Sequence, residues 1–146
     1  MSEKKTSSRS CVCLTIELCE LVIDDIRTRN KSLIHIFNQI NVEALPVQLR
    51  RLFVYVTLTD GRGQQDASIK IVGPMQAPEG REDLQPKELL SLHGPIEFKD
   101  PNAIVEMIFE FRDLVIPEEG KYHVEFWVGR DTLFSRPFYV KKIAKG

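Results

Sequence analysis

Apolar and polar side chains alternate with a period of two over most of this chain. From Arg51 to Thr59 the residues put Leu52, Val54, Val56 and Leu58 on one side and Phe53, Tyr55, Thr57 and Thr59 on the other. Successive side chains of an extended chain point to opposite faces, so this pattern predicts a strand packed on a core. Asp60-Gly61-Arg62-Gly63 is turn chemistry, after which Ala67, Ile69 and Ile71 alternate with Asp66, Ser68 and Lys70. The two segments read as a hairpin.

Two strands are expected before it, over about 12–23 and 32–42, separated by the charged, turn-forming run 24–31. The β-branched content of 32–42 favours strand over helix there. In the last third, Val105, Met107, Phe109 and Phe111 share a face opposite Glu106, Glu110 and Arg112. Pro117 to Gly120 turns the chain into 121–128, where Tyr122, Val124, Phe126 and Val128 alternate with Lys121, His123, Glu125 and Trp127. Gly129-Arg130-Asp131 makes the next turn, and a last strand runs over about 133–142. Pro137 has no amide proton for a ladder, which assigns that strand to an edge or to a bulge.

The middle reads differently. Residues 73–95 hold Pro74, Pro78, Pro86 and Pro95 with Gly73, Gly80 and Gly94. A structureless loop of that length is uncommon in a compact domain, so a short helix or 3₁₀ turn is expected around 86–91 and a short strand over 96–98. The count is roughly seven or eight antiparallel strands spaced by turns, which predicts an all-β fold, a two-sheet sandwich.

Composition narrows the class. The chain has 146 residues, 42% hydrophobic and 28% charged, with 20 Lys plus Arg against 21 Asp plus Glu. That fits one globular domain over 11–142, with a polar tail at 1–10 and a flexible end at 143–146. Without a basic excess the chain lacks the electrostatic footprint of a nucleic-acid binder. No apolar run approaches the roughly 20 residues that span a bilayer, and the polar start has no leader-like core, so a cytoplasmic location and no membrane partner are expected. Cys11, Cys13 and Cys19 lie close together near one end. An odd, clustered set is a poor disulfide framework, and Cys-x-Cys alone is a weak zinc signal, so buried structural thiols are expected.

Glu119-Gly120-Lys121-Tyr122-His123-Val124 resembles the corner of immunoglobulin-like sandwiches, where a tyrosine near the start of a strand bonds back to upstream backbone. Val124 stands where antibody domains carry a cysteine. Over 12–142 the chain also resembles a family of small uncharacterised bacterial proteins. The likeness rests on Glu20-Leu21-Val22-Ile23-Asp24, Leu33-Ile34-His35-Ile36-Phe37, the Leu52–Leu58 strand and the Gly120-Lys121-Tyr122 segment. The resemblance implies one immunoglobulin-like sandwich and no assigned activity.

Chemistry is sparse. Asp24 and Asp25 are adjacent, so an extended backbone sends them to opposite sides. His123 shares its face with Lys121 and Glu125, His35 alternates with Leu33 and Phe37, and His93 alone sits in the expected loop, beside Gly94-Pro95. Signatures of hydrolases, phosphate-binding loops, zinc proteases and dinucleotide sites are missing, so no catalytic, cofactor or metal residue is assigned. Five basic residues after position 129 (Arg130, Arg136, Lys141, Lys142, Lys145) face one acid, Asp131, and read as protection of an exposed edge.

The alternation does single out one surface. With Tyr122, Val124, Phe126 and Val128 inward, Trp127 faces out beside His123, as do Tyr139, Leu133 and Ile108 in their own strands. If those strands are neighbours, Ile108, Trp127, Leu133 and Tyr139 form an outer apolar patch, unless the 73–95 segment folds over it. The resulting expectation is a non-enzymatic interaction or scaffold module that binds a protein partner or a second copy. The alternative is a small-ligand binder, or a hydrolase, built on the loop around His93.

Overall fold

A computed structural model describes residues 11–75 and 87–144. Nine strands are present among them: β1 (Val12–Asp24), β2 (Lys31–Ile36), β3 (Gln39–Val42), β4 (Val47–Thr59), β5 (Gly63–Val72), β6 (Glu88–Phe98), β7 (Val105–Ile116), β8 (Gly120–Val128) and β9 (Asp131–Lys142). They make a four-stranded sheet in the order β2-β1-β4-β7 and a five-stranded sheet in the order β3-β9-β8-β5-β6. The protein is an all-β sandwich. All ladders are antiparallel except β3–β9, which is parallel.

The core lies between the sheets and follows the alternation. Leu52, Val54, Val56 and Leu58 of β4 face Ile69 and Ile71 of β5, and all six are fully buried. Phe109 of β7 meets Phe126 of β8 edge to face across the layers, with centroids 6.4 Å apart. Burying an aromatic side chain of this size contributes about 1.5–3 kcal/mol, so this cross-sheet pair is a main tie between the layers.

Several expectations change. The residues 60–63 join two sheets, not two strands of a hairpin: β4 pairs with β1 and β7, whereas β5 pairs with β6 and β8. Gly61 is required for that crossing, because a Cβ there would come within 2.3 Å of the Phe98 ring. Residues 32–42 are two strands. The chain leaves the four-stranded sheet after Ile36, with His35 at φ 54°, and enters the other sheet as β3. Residues 88–91 are strand, not helix, since Leu90 and Ser91 pair with Ile71 and Lys70 of β5. No helix occurs among the described residues, and so none there is long and apolar enough to cross a membrane. Residues 1–10, expected as a tail, 145–146 of the end expected to be flexible over 143–146, and 76–86 of the middle segment lie outside the described residues, while the Ile143 amide donates to the Val42 carbonyl at 2.8 Å.

The free end of the β1–β2 hairpin folds onto the four-stranded sheet. Lys31 stands on β2, three strand spacings from β7, or roughly 14 Å at the usual separation, which exceeds a lysine's reach. Its Nζ nevertheless lies 3.0 Å from Glu106 Oε1 of β7, and the side chain is only 11% exposed. Glu106 also accepts a hydrogen bond from Tyr55 of β4. The hairpin end therefore leans over the outer face of β4.

Candidate functional site

The outer face of the five-stranded sheet gathers two of the three histidines, His93 and His123, with serine, lysine and tryptophan side chains. In β5, Ala67, Ile69 and Ile71 turn inward, which leaves Ser68 and Lys70 outside. Directly opposed residues share a face, so register carries that side across the sheet. Ser68 pairs with His93 of β6 and with Trp127 of β8, and Lys70 pairs with Ser91 and Glu125. His123 continues the face beside Glu125 and pairs with Pro137 of β9.

These side chains hold one another. Ser68 Oγ is 2.9 Å from His93 Nδ1, and Ser91 Oγ is 3.4 Å from Nε2 of the same ring. Lys70 Nζ sits 4.4 Å from the centroid of the Trp127 ring and 3.6 Å from Glu88 Oε1. The Trp127 indole donates to Glu125 Oε1 at 3.0 Å. A cation over the ring face and a carboxylate on its N–H fix the indole from two directions. His123 Nδ1 lies 2.7 Å from Ser135 Oγ. Burial and then the Lys121 charge push the His123 pKa down, and Glu125 opposes them.

Ser68 and His93 are within hydrogen-bond reach, yet His93 is exposed on a strand, not set in a loop pocket, and its second nitrogen meets a serine, not an orienting carboxylate. A nucleophile–base pair needs that third group and donors for the developing oxyanion. The thiols are no better placed: burial pushes Cys11 and Cys13 up to about 11 and raises Cys19 as well, so at neutral pH all three are protonated. Asp24 and Asp25 are occupied locally, by Lys31 at 3.6 Å and by the Arg27 amide at 2.8 Å. His35 pairs with Glu20 at 3.1 Å.

The apolar patch expected from alternation does not assemble. Trp127 and Tyr139 do face outward on one sheet, but six residues of β8 separate Trp127 from Lys121, the partner of Tyr139, which is roughly 20 Å. Ile108 belongs to β7 of the other sheet, opposite Tyr55, and is 40% exposed on the far side of the sandwich. Leu133 packs against the core instead of facing out, because the β8–β9 register shifts between Phe126 and Trp127 and reverses its side. Ser68, Ser91 and Lys70 escaped sequence reasoning, since only the β5–β6 and β5–β8 registers bring them to Trp127 and His93.

A second group of polar side chains borders two open cavities, one at the β4–β7 ladder and one between β4 and β3 of the five-stranded sheet. Arg50, Arg51, Arg112 and Asp113 line one of about 510 Å³. Arg50 and Arg51 also line a cleft of about 690 Å³ that runs to Phe37, Gln39, Asn41 and Gln48. The adjacent basic residues at 50 and 51 are visible in the sequence, but the approach of Arg112 depends on the β4–β7 register.

Residues 14–141 match the model of a family described as Family of unknown function (DUF6941). The chain belongs to that family. A search of the curated proteins finds no match. Among solved structures, the chain is similar to Pseudomonas fluorescens alkylpurine DNA glycosylase AlkC bound to DNA containing an abasic site analog, at 12% identity and a TM-score of 0.47. That likeness covers 92% of this chain and 31% of the glycosylase chain, so this family member spans about a third of that protein's length.

Proposed function

We propose that this protein is a non-enzymatic interaction module, an immunoglobulin-like sandwich whose five-stranded sheet presents its outer face to a protein partner or a second copy. One observation carries the reading: Trp127 stands on that face, pinned by Lys70 and Glu125 within a field of mutually bonded polar side chains. A large ring held in one rotamer among polar neighbours loses little freedom on binding and is the commonest kind of interface anchor. The immunoglobulin-like part rests on the strand order and on the Tyr122 corner, whose hydroxyl donates to the Glu118 carbonyl at 2.5 Å. A cytoplasmic setting is part of the proposal, supported by three free cysteines.

Trp127 is the only tryptophan, so its fluorescence reports this face alone. Light scattering after size exclusion gives the assembly state, and a photo-crosslinker at Ser135 or at Thr15 of β1 compares the two sheets in cells. The reading expects a discrete crosslinked product from Ser135 that Trp127→Ala abolishes, with the melting temperature nearly unchanged. Products from Thr15 but not Ser135, or a Ser135 product indifferent to Trp127→Ala, would overturn it.

A further inference from the structure

We propose that Arg50, Arg51 and Arg112 form a binding site for the phosphate group of a small phosphate monoester, whose organic part lies in the adjoining cleft. The site is independent of the face described above. Arg51 and Arg112 are direct cross-strand partners between β4 and β7. Like charges at that position repel, and a fold that keeps them there gains from an anion between them.

The protein supplies only part of that charge. Arg112 Nε lies 2.9 Å and Arg51 Nε 3.7 Å from the same oxygen, Oε2 of Glu110. One carboxylate thus orients two guanidinium groups through their inner nitrogens, which leaves the outer forks turned to other partners. Arg51 is steadied further by the Phe53 ring, 5.4 Å from its guanidinium carbon. The Arg50 side chain makes no ion pair or hydrogen bond with any described residue. Guanidinium forks match the oxygens of a tetrahedral phosphate in pairs, which a lysine cannot do.

Backbone geometry opens the site at this level. The β4–β7 ladder runs through Leu49–Leu114 and Arg51–Arg112 but omits Arg50–Asp113, where Asp113 has φ 56°. Arg50 and Asp113, the two residues at that break, line the 510 Å³ cavity together with Arg51 and Arg112. At the cavity itself three guanidiniums stand against the carboxylates of Glu110 and Asp113, an excess of one positive charge, and Glu20 adds a carboxylate to the lining of the adjoining cleft. That excess suits a monoester with few charges better than a polyphosphate. Phe37, Gln39, Asn41 and Gln48 of the joined cleft offer one ring and three amides to the rest of the molecule, and both volumes fall in the range of small-ligand sites.

The test is titration of the whole protein at fixed ionic strength with inorganic phosphate, with phenyl phosphate and with a phosphoserine peptide, followed by NMR and thermal shift. The proposal expects saturable binding of phenyl phosphate, at least about fivefold tighter than inorganic phosphate and tighter than the peptide. Arg50→Gln breaks no ion pair or hydrogen bond with any described residue, and it should weaken phenyl phosphate about tenfold with an unchanged melting curve. Arg51→Gln with Arg112→Gln should abolish binding, while Arg130→Gln in the β8–β9 turn should leave it intact. No saturation by phenyl phosphate, or full affinity in Arg50→Gln, overturns the site. Equal affinity for inorganic and phenyl phosphate overturns the role of the cleft, and tighter binding of the peptide overturns the assignment to a small ligand.

Discussion

Tyr122 concentrates the fold's local logic in one side chain. Its ring is fully buried and stacks on Phe138 at 5.6 Å, while its hydroxyl reaches back to the Glu118 carbonyl. Gly73 closes over it, since a Cβ at that residue would meet the ring at 2.6 Å and its φ is 144°. Tyr122→Phe keeps the stacking and removes the bond, so we expect a loss of about 1–2 kcal/mol in urea unfolding. Gly61→Ala must push the Phe98 ring aside and should cost more, about 1–3 kcal/mol, with a rise in the accessibility of the β4–β5 crossing to proteases. The two glycines and the tyrosine were not equally legible. Gly-Lys-Tyr-His-Val carries its corner within a few residues, whereas the demand on Gly61 comes from Phe98, which sequence distance hides.

At the scale of elements, alternation told strands apart from turns but not which strands meet. Tyr122 to Val128 and Leu52 to Leu58 face as their patterns require, because each strand lies between a core and an outer side. Pairing is another matter, for a turn such as Asp60–Gly63 serves a hairpin and a sheet crossing alike. One-residue irregularities also reverse a face: the shift at Phe126/Trp127 turned Leu133 inward and broke up the surface read from the sequence. Pro137 shows the converse. It sits in the stretch of β9 before the short parallel partner β3 begins at Tyr139, so its missing donor costs no ladder bond on that side. The lean of the β1–β2 hairpin was illegible too, since it depends on Lys31, Tyr55 and Glu106, which come from three separate strands. Tyr55 and then Lys31 hold the Glu106 carboxyl below its usual range. Glu106→Gln keeps a weaker acceptor for both but removes the ion pair, and we expect a modest global cost, below about 1 kcal/mol at this partly exposed site. The larger effect should be local: hydrogen exchange of residues 24–31 should quicken while that of β8 is unchanged. Uniform quickening would mean that the contact supports the whole sandwich and not the hairpin alone.

For the whole molecule, the two outer faces are unequal, and the inequality sets how stability answers to pH. The four-stranded sheet carries the hairpin on its outer side, anchored at Glu106. The five-stranded sheet carries His123, partly buried and flanked by Lys121 and Glu125, with its Nδ1 on Ser135. Because the folded protein lowers the His123 pKa below the ordinary 6.5, the unfolded chain binds this proton first as pH falls. The stabilisation is therefore complete above 6.5 and is lost as pH drops from there through the folded value. Glu106 acts in a separate window: with its pKa lowered from 4.5, its contribution is complete above 4.5 and fades only on further acidification. Urea midpoints at pH 7.5 and 5.5 thus separate the contribution of His123 from that of Glu106. Wild type should lose stability between them, and His123→Asn, which keeps a group able to reach Ser135 but does not titrate, should lose measurably less. Equal losses in the two proteins would assign the pH response elsewhere and leave His123 a spectator on the face that Trp127 anchors.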